Sequence, residues 1–150
     1  MTINEKQSSD MRFDEACRRN GWKRTSQRRA VFTYLCDNHE HPSVETVWTR
    51  VKNRLPDVSL DSVYRILDDF AAAGIVRRIG ADKVIRYDCR TCGHGHFICG
   101  VCGRMYDFDH PQASMEVALA ACREFGTPET LEVSVRGVCR ACRDGRGASS

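Results

Sequence analysis

The chain has no run of about eighteen apolar residues, the length at which a helix can cross a bilayer, so a membrane span is excluded on length. It has no apolar stretch near its start either: residues 1–10 are polar and lack the hydrophobic centre of a secretory leader. No internal repeat occurs beyond a recurring C-x-x-C, and no acid–base set or substrate-pocket signature stands out. What is abundant is cysteine, nine in 150 residues. A disulfide scaffold fits poorly with an odd count and no leader. The expectation is therefore a protein of the reducing cytoplasm whose thiolates hold metal.

The net charge of +3 is unevenly spread. Residues 12–90 carry 16 Lys and Arg against 11 Asp and Glu, while residues 91–150 carry 6 against 7. A basic first half beside a near-neutral second half suits a polyanion-binding module joined to something else. A chain of this length accommodates two small domains if something other than core size stabilises the second.

The first half reads as helices. Phe13, Ala16 and Cys17 form an apolar face that Gly21 terminates, and Ser26 is placed to cap a second helix with Ala30, Val31, Tyr34 and Leu35 on one stripe. Pro42 and Ser43 open a third, carrying Val44, Val47, Trp48, Val51 and Leu55. Ser59 caps a fourth, on which Leu60, Val63, Leu67 and Phe70 recur at helical spacing and Ser62, Tyr64, Arg65 and Asp69 face the other way. Residues 75–79 and 84–87 then form a hairpin pattern around Gly80. Three helices followed by a hairpin make a winged helix-turn-helix.

After Asp88 the composition turns to Cys, Gly and His. The fold class expected is α+β: a winged-helix DNA-binding domain over residues 1–87 and a small Cys- and His-rich domain over residues 88–150, to which the family resemblance given below adds metal binding and dimerisation. In the latter, residues 104–108 read as a strand, residues 114–125 as a helix and residues 131–135 as a last strand, with a disordered tail from about residue 143.

Cys99-Gly-Val-Cys102 and Cys139-Arg-Ala-Cys142 are two C-x-x-C turns, each able to place two sulfurs on one tetrahedral ion. Four thiolates suit structural zinc, whose binding is folding free energy for a small domain. A third pair, Cys89 and Cys92, leaves open a compact knuckle with Cys99 and Cys102, although the linker is short for a zinc ribbon. His94 and His96 share one face if their segment is a strand.

Thr25-Ser-Gln-Arg28, Ser59-Leu-Asp-Ser-Val-Tyr64-Arg65, Ala73-Gly74-Ile-Val76, His94-Gly-His96-Phe-Ile-Cys99-Gly-Val-Cys102-Gly103 and Val138-Cys139-Arg-Ala-Cys142 together resemble the ferric-uptake-regulator family over roughly residues 13–142. The resemblance implies a dimeric repressor that binds operator DNA when metal-loaded, with structural zinc on Cys99, Cys102, Cys139 and Cys142. Its peroxide-responsive branch implies regulatory Fe(II) or Mn(II) on His41, Asp88, His94, His96 and Asp107, a nitrogen and oxygen set that suits those ions. His41 and His94 are the imidazoles the resemblance marks for oxidation, and a palindromic, AT-rich operator is the partner it implies. For DNA, Ser62, Tyr64 and Arg65 are expected toward the major groove, Arg24, Arg28 and Arg29 on phosphates, and Arg77, Arg78 and Lys83 on the wing. Alternatives are an iron-uptake regulator, a zinc-uptake regulator using Cys89, His94 and His96, a metal-dependent enzyme, and a zinc-stapled interaction module without DNA binding.

Overall fold

The structure is a computed structural model, and it describes residues 3–38, 40–80, 84–90, 93–110, 112–128 and 131–145. The chain divides into two compact units, Met1–Thr91 and Cys92–Ser150. Among the described residues no helix is long and apolar enough to cross a membrane.

The first unit holds α1 (Ile3–Asn20), α2 (Ser26–Asp37), α3 (Val44–Lys52), α4 (Leu60–Ala72) and a two-stranded antiparallel ribbon of β1 (Arg77–Ile79) and β2 (Arg86–Asp88). Helices α2, α3 and α4 each begin at a hydroxyl that satisfies a first-turn donor. Thr25 accepts from the Arg28 N–H at 3.2 Å, Ser43 from Thr46 at 3.3 Å and Ser59 from Ser62 at 3.1 Å. The cap of α2 is thus Thr25 rather than Ser26, which lies inside the helix. Helix α3 stops at Lys52, short of Leu55, because the chain tightens there: the N–H groups of Arg54 and Leu55 both return to the Val51 carbonyl. Gly74, at φ 69°, turns the chain out of α4, and the Ile75 and Val76 amides bond back to Phe70. This consumes the first residues of the expected strand, so β1 begins only at Arg77.

One apolar core fills this unit. Phe13 and Phe32 have ring centroids 5.5 Å apart, Phe32 stands edge-on to Phe70 at 5.9 Å, and Val31, Val47, Val63, Leu67 and Val76 are fully buried around them. Helix α1 starts far earlier than its apolar face indicated, because its first half is polar and carries no hydrophobic repeat.

The second unit holds β3 (Gly95–Cys99), β4 (Met105–Phe108), α5 (Gln112–Ala121), β5 (Val133–Gly137) and a single turn, α6 (Arg140–Arg143). Its sheet has the order β4-β3-β5, with β3 antiparallel to β4 and parallel to β5. The last strand lies two residues later than the sequence pattern places it, and α5 runs earlier, from Gln112 to Ala121. Among the described residues of this unit the only non-glycine side chains buried are Cys99, Cys139, His94 and His96. In place of an aliphatic core the unit has sulfur and imidazole.

Candidate metal centres and nucleic-acid interface

Cys99, Cys102, Cys139 and Cys142 of the second unit are brought together by hydrogen bonds of the main chain. The Gly103 N–H reaches back to the Cys99 carbonyl at 2.9 Å, with Gly103 at φ 69°, closing the first C-x-x-C turn. The Gly100 N–H bonds the Gly137 carbonyl at 2.8 Å, which carries the end of β5 to that turn. Cys139 then caps α6 and Cys142 lies in it, so the second pair is presented from one helical turn. One sulfur from each of Cys99, Cys102, Cys139 and Cys142 lies within 4.8 Å of the other three. The Cys102 and Cys139 sulfurs are 3.8 Å apart, which is the edge of a tetrahedron whose centre lies about 2.3 Å from each sulfur, the usual zinc–thiolate length.

The thiols are electrostatically unequal. Backbone N–H groups, that of Cys102 first and that of Cys139 next, hold Cys99 down at about 6, while burial and neighbouring sulfurs push Cys142 up to about 12. Such a cluster cannot carry four thiolates unaided, since each new negative charge opposes the next. A central dication removes that opposition, and the four residues fit a structural zinc. The Tyr106 hydroxyl hydrogen-bonds Cys139, which pushes its own phenol up; nothing in the sequence pattern marked Tyr106 as a neighbour of the thiols.

The imidazole cluster arises from strand geometry. His94 immediately precedes β3 and His96 lies in it, so the two alternate onto one face. The β3–β4 register sets Asp107 directly across from His96. Asp107 Oδ1 consequently lies 3.7 Å from Nε2 of His94 and 3.7 Å from Nε2 of His96, and the two rings are 4.6 Å apart. Gly95 permits this close packing, because a Cβ there would overlap the Phe108 ring.

The first unit holds the other two candidate ligands. Residues 41–43 are stitched to β2: the Tyr87 N–H bonds the Pro42 carbonyl at 3.1 Å, Arg86 Nη1 bonds the His41 carbonyl at 3.1 Å, and Ser43 bridges to Arg86. His41 takes φ 52°, a left-handed conformation that costs a non-glycine residue of order 1 kcal/mol and that these bonds enforce. The result is His41 Nε2 at 4.0 Å from Asp88 Oδ1, both buried. Arg86, which positions His41, carried no signal in the sequence.

Cys89 follows a different course. Its sulfur lies 2.8 Å from that of Cys36 within the first unit, beside the apolar core, and the hydrogen bond from Cys36, ahead of the charge of Arg12, lowers its thiol. Cys92 and Lys83 lie outside the described residues.

The residues expected at DNA divide into two groups. On α4, Tyr64 and Arg65 are exposed, and Arg65 makes a surface pair with Asp61 at 2.6 Å. Ser62 is half-buried, its hydroxyl 2.8 Å from that of Ser59. The Tyr64 hydroxyl reaches Glu45 of α3 at 3.5 Å, and Arg24, more than half exposed, lies 3.6 Å from Asp14. Arg28 is otherwise engaged. Its guanidinium pairs with Asp69, donates to the Lys23 carbonyl at 3.3 Å and covers the Trp22 ring at 4.9 Å, leaving its side chain 16% exposed. Arg29 is tied to Asp10 and Asp14. Arg77 donates to the Arg90 carbonyl at 3.2 Å, and Arg78 pairs with Asp68.

A helix pair capped at Ser43 and Ser59, a following two-stranded ribbon and a thiol-stapled second unit define the class of winged-helix, metal-dependent transcription regulators. The sequence profile described as the ferric uptake regulator family matches residues 19–130. The chain belongs to that family, whose members are DNA-binding dimeric regulators and not enzymes. It is similar to the peroxide-responsive repressor PerR of Staphylococcus epidermidis (strain ATCC 12228 / FDA PCI 1200), 30% identical over 144 residues, or 93% of this chain and 96% of that one. Its fold is similar to the Helicobacter pylori ferric uptake regulator Fur (TM-score 0.76, 23% identity, 91% and 93% of the two chains covered). It is also similar in fold to the Campylobacter jejuni peroxide stress regulator (TM-score 0.67, 23% identity, 95% and 100% covered).

Proposed function

We propose that this chain is a dimeric, metal-dependent DNA-binding repressor that senses peroxide through a regulatory Fe(II) or Mn(II) site. The observation that carries the reading is the group of His94, His96 and Asp107: two imidazoles and a carboxylate on one sheet face. Nitrogen and oxygen donors suit iron or manganese, whereas a thiolate would bias the set toward zinc. In this reading His41 and Asp88 of the first unit supply the remaining ligands, and Cys99, Cys102, Cys139 and Cys142 hold zinc as a permanent staple. The staphylococcal relative, a peroxide-responsive repressor, supports the same reading. A zinc-uptake role for Cys89 is disfavoured, because that sulfur is engaged with Cys36.

Bound Fe(II) would supply one-electron chemistry toward peroxide. His41 and His94 are the residues that would take up oxygen; an oxidised imidazole donates poorly, so the site would lose its grip and the reader would leave the operator. Helix α4 would lie in the major groove, with Tyr64 and Arg65 toward bases, Ser62 at the helix start and Arg24 and Arg77 near the phosphates. Two readers related by a two-fold axis imply a palindromic site, AT-rich as the family implies. Val117, Phe125 and Val135 of the second unit are exposed in the single chain, as expected of surfaces that a second copy covers. The cytoplasm is the compartment that keeps such thiols reduced.

The test is operator binding by protein loaded with Fe(II), Mn(II) or Zn(II), before and after peroxide, followed by peptide mass analysis. The expected outcome is binding with iron and with manganese, and release by peroxide only with iron. Release should coincide with a one-oxygen gain on the His41 or His94 peptide. Binding supported by zinc alone, or iron-loaded protein indifferent to peroxide, would overturn the proposal.

A further inference from the structure

Two sulfurs of the first unit have no place in the function proposed above. Cys36 lies in the last turn of α2, and Cys89 follows β2 directly. Fifty-three residues separate them in sequence, yet their sulfurs are 2.8 Å apart. Arg12, from α1, extends a guanidinium nitrogen to within 3.9 Å of the Cys89 sulfur. Three elements therefore converge on one thiol pair, whereas Cys17, buried in the same core, has no such sulfur neighbour among the described residues.

We propose that Cys36 and Cys89 close into a reversible disulfide, an oxidant-responsive site separate from the metal ligands. A disulfide bond is about 2.04 Å long, so closure needs less than about 1 Å of movement. Cys36 is half-exposed, which gives a small oxidant access, while Cys89 is nearly enclosed and its sulfenic acid would be shielded from further oxidation. The guanidinium of Arg12 faces the sulfur on which negative charge gathers during attack.

With hydrogen peroxide as oxidant the step balances. The Cys89 sulfur attacks one peroxide oxygen and the O–O bond breaks, leaving Cys89 as a sulfenic acid and the second oxygen as water. The Cys36 sulfur then attacks the Cys89 sulfur; the S–S bond forms, the S–O bond breaks, and the oxygen leaves as a second water. Two thiols lose two electrons and two protons, and a dithiol reductant reverses the change. The new bond would tie the end of α2 to the residue after Asp88.

The test uses the full chain with its zinc retained and manganese in place of iron, so that iron-dependent histidine oxidation is absent. After mild peroxide, thiol alkylation and non-reducing peptide mapping should recover a Cys36–Cys89 linked peptide that dithiothreitol separates, with no oxygen gained by histidine. In the Cys36→Ser variant the linked peptide should be absent and Cys89 should carry a single added oxygen by peptide mass, and Cys17→Ser should leave the linked peptide unchanged. The inference is overturned if Cys36 and Cys89 stay fully alkylatable while Cys99, Cys102, Cys139 and Cys142 oxidise. It is equally overturned if Cys89 is recovered linked to Cys92, or if Cys36→Ser lowers the metal content of the reduced protein. Failure of the iron-dependent peroxide response would leave this outcome untouched, so the two proposals fail separately.

Discussion

Arg28, expected on phosphates, is engaged by the fold itself, and we propose that its main role is structural. Its charge is spent on Asp69, its N–H groups on the Lys23 carbonyl and its flat face on Trp22. Arg28→Ala should cost about 1–2 kcal/mol of stability by chemical denaturation, since a half-buried pair and a cation–π contact are lost together. The slope of log affinity against log salt should stay the same, whereas Arg65→Ala should reduce that slope by about one unit and cost about 1–3 kcal/mol of operator affinity. At the metal ligands the equivalent test is Asp107→Glu. The longer side chain keeps a carboxylate opposite His96 but shifts its oxygen, so metal-dependent operator binding should persist while release by peroxide is blunted, as read by gel shift; undiminished peroxide sensitivity would count against the assignment.

At the scale of elements, β3 and β4 depend on a contact no side-chain pattern announces. Gly95 lies under the Phe108 ring, and a methyl group there would overlap it. Gly95→Ala should therefore push β4 away, lower the melting temperature and weaken regulatory-metal binding measured by titration, at a cost of about 1–3 kcal/mol. What the sequence made legible follows the same division between local and distant causes. Helices α3 and α4 announced themselves through caps and apolar stripes and α2 through its stripe, with its cap misplaced by one residue, because those are interactions within one turn or one face. The two C-x-x-C turns were equally plain, and the spacing of His94 and His96 was readable as one strand face. The first half of α1, the register that sets Asp107 against His96, and the stitching of residues 41–43 to β2 were not readable, since each depends on residues distant in the chain. The pairing of Cys36 with Cys89 was hidden for the same reason: neither belongs to a motif with the other.

For the whole molecule, stability is partitioned by chemistry. The first unit rests on Phe13, Phe32 and Phe70 and their aliphatic neighbours, and the second on its sulfurs. Acid should separate them. The Cys99 thiol is lowered in the folded chain from 9.0 to about 6, so its thiolate favours the fold fully above about pH 9, progressively less below that, and not at all once the pH has fallen through about 6. Bound zinc competes with the proton for the same sulfur, so zinc release followed with a chromogenic chelator should set in at a pH lower than that of the free thiol. Faster amide exchange in β3 and β5 should accompany it, while the fluorescence of Trp22 and Trp48, both in the first unit, persists. Simultaneous loss of both signals would show that the two units do not unfold independently.

Strand β3 carries His96 and Cys99 within five residues. In the function proposed above, a detector of oxidants and a clamp for an unrelated nutrient thus share a single stretch of backbone. Cells deprived of zinc would make a regulator that is deaf to peroxide before any peroxide arrives, so a shortage of one element would be felt as misjudgement of a different stress.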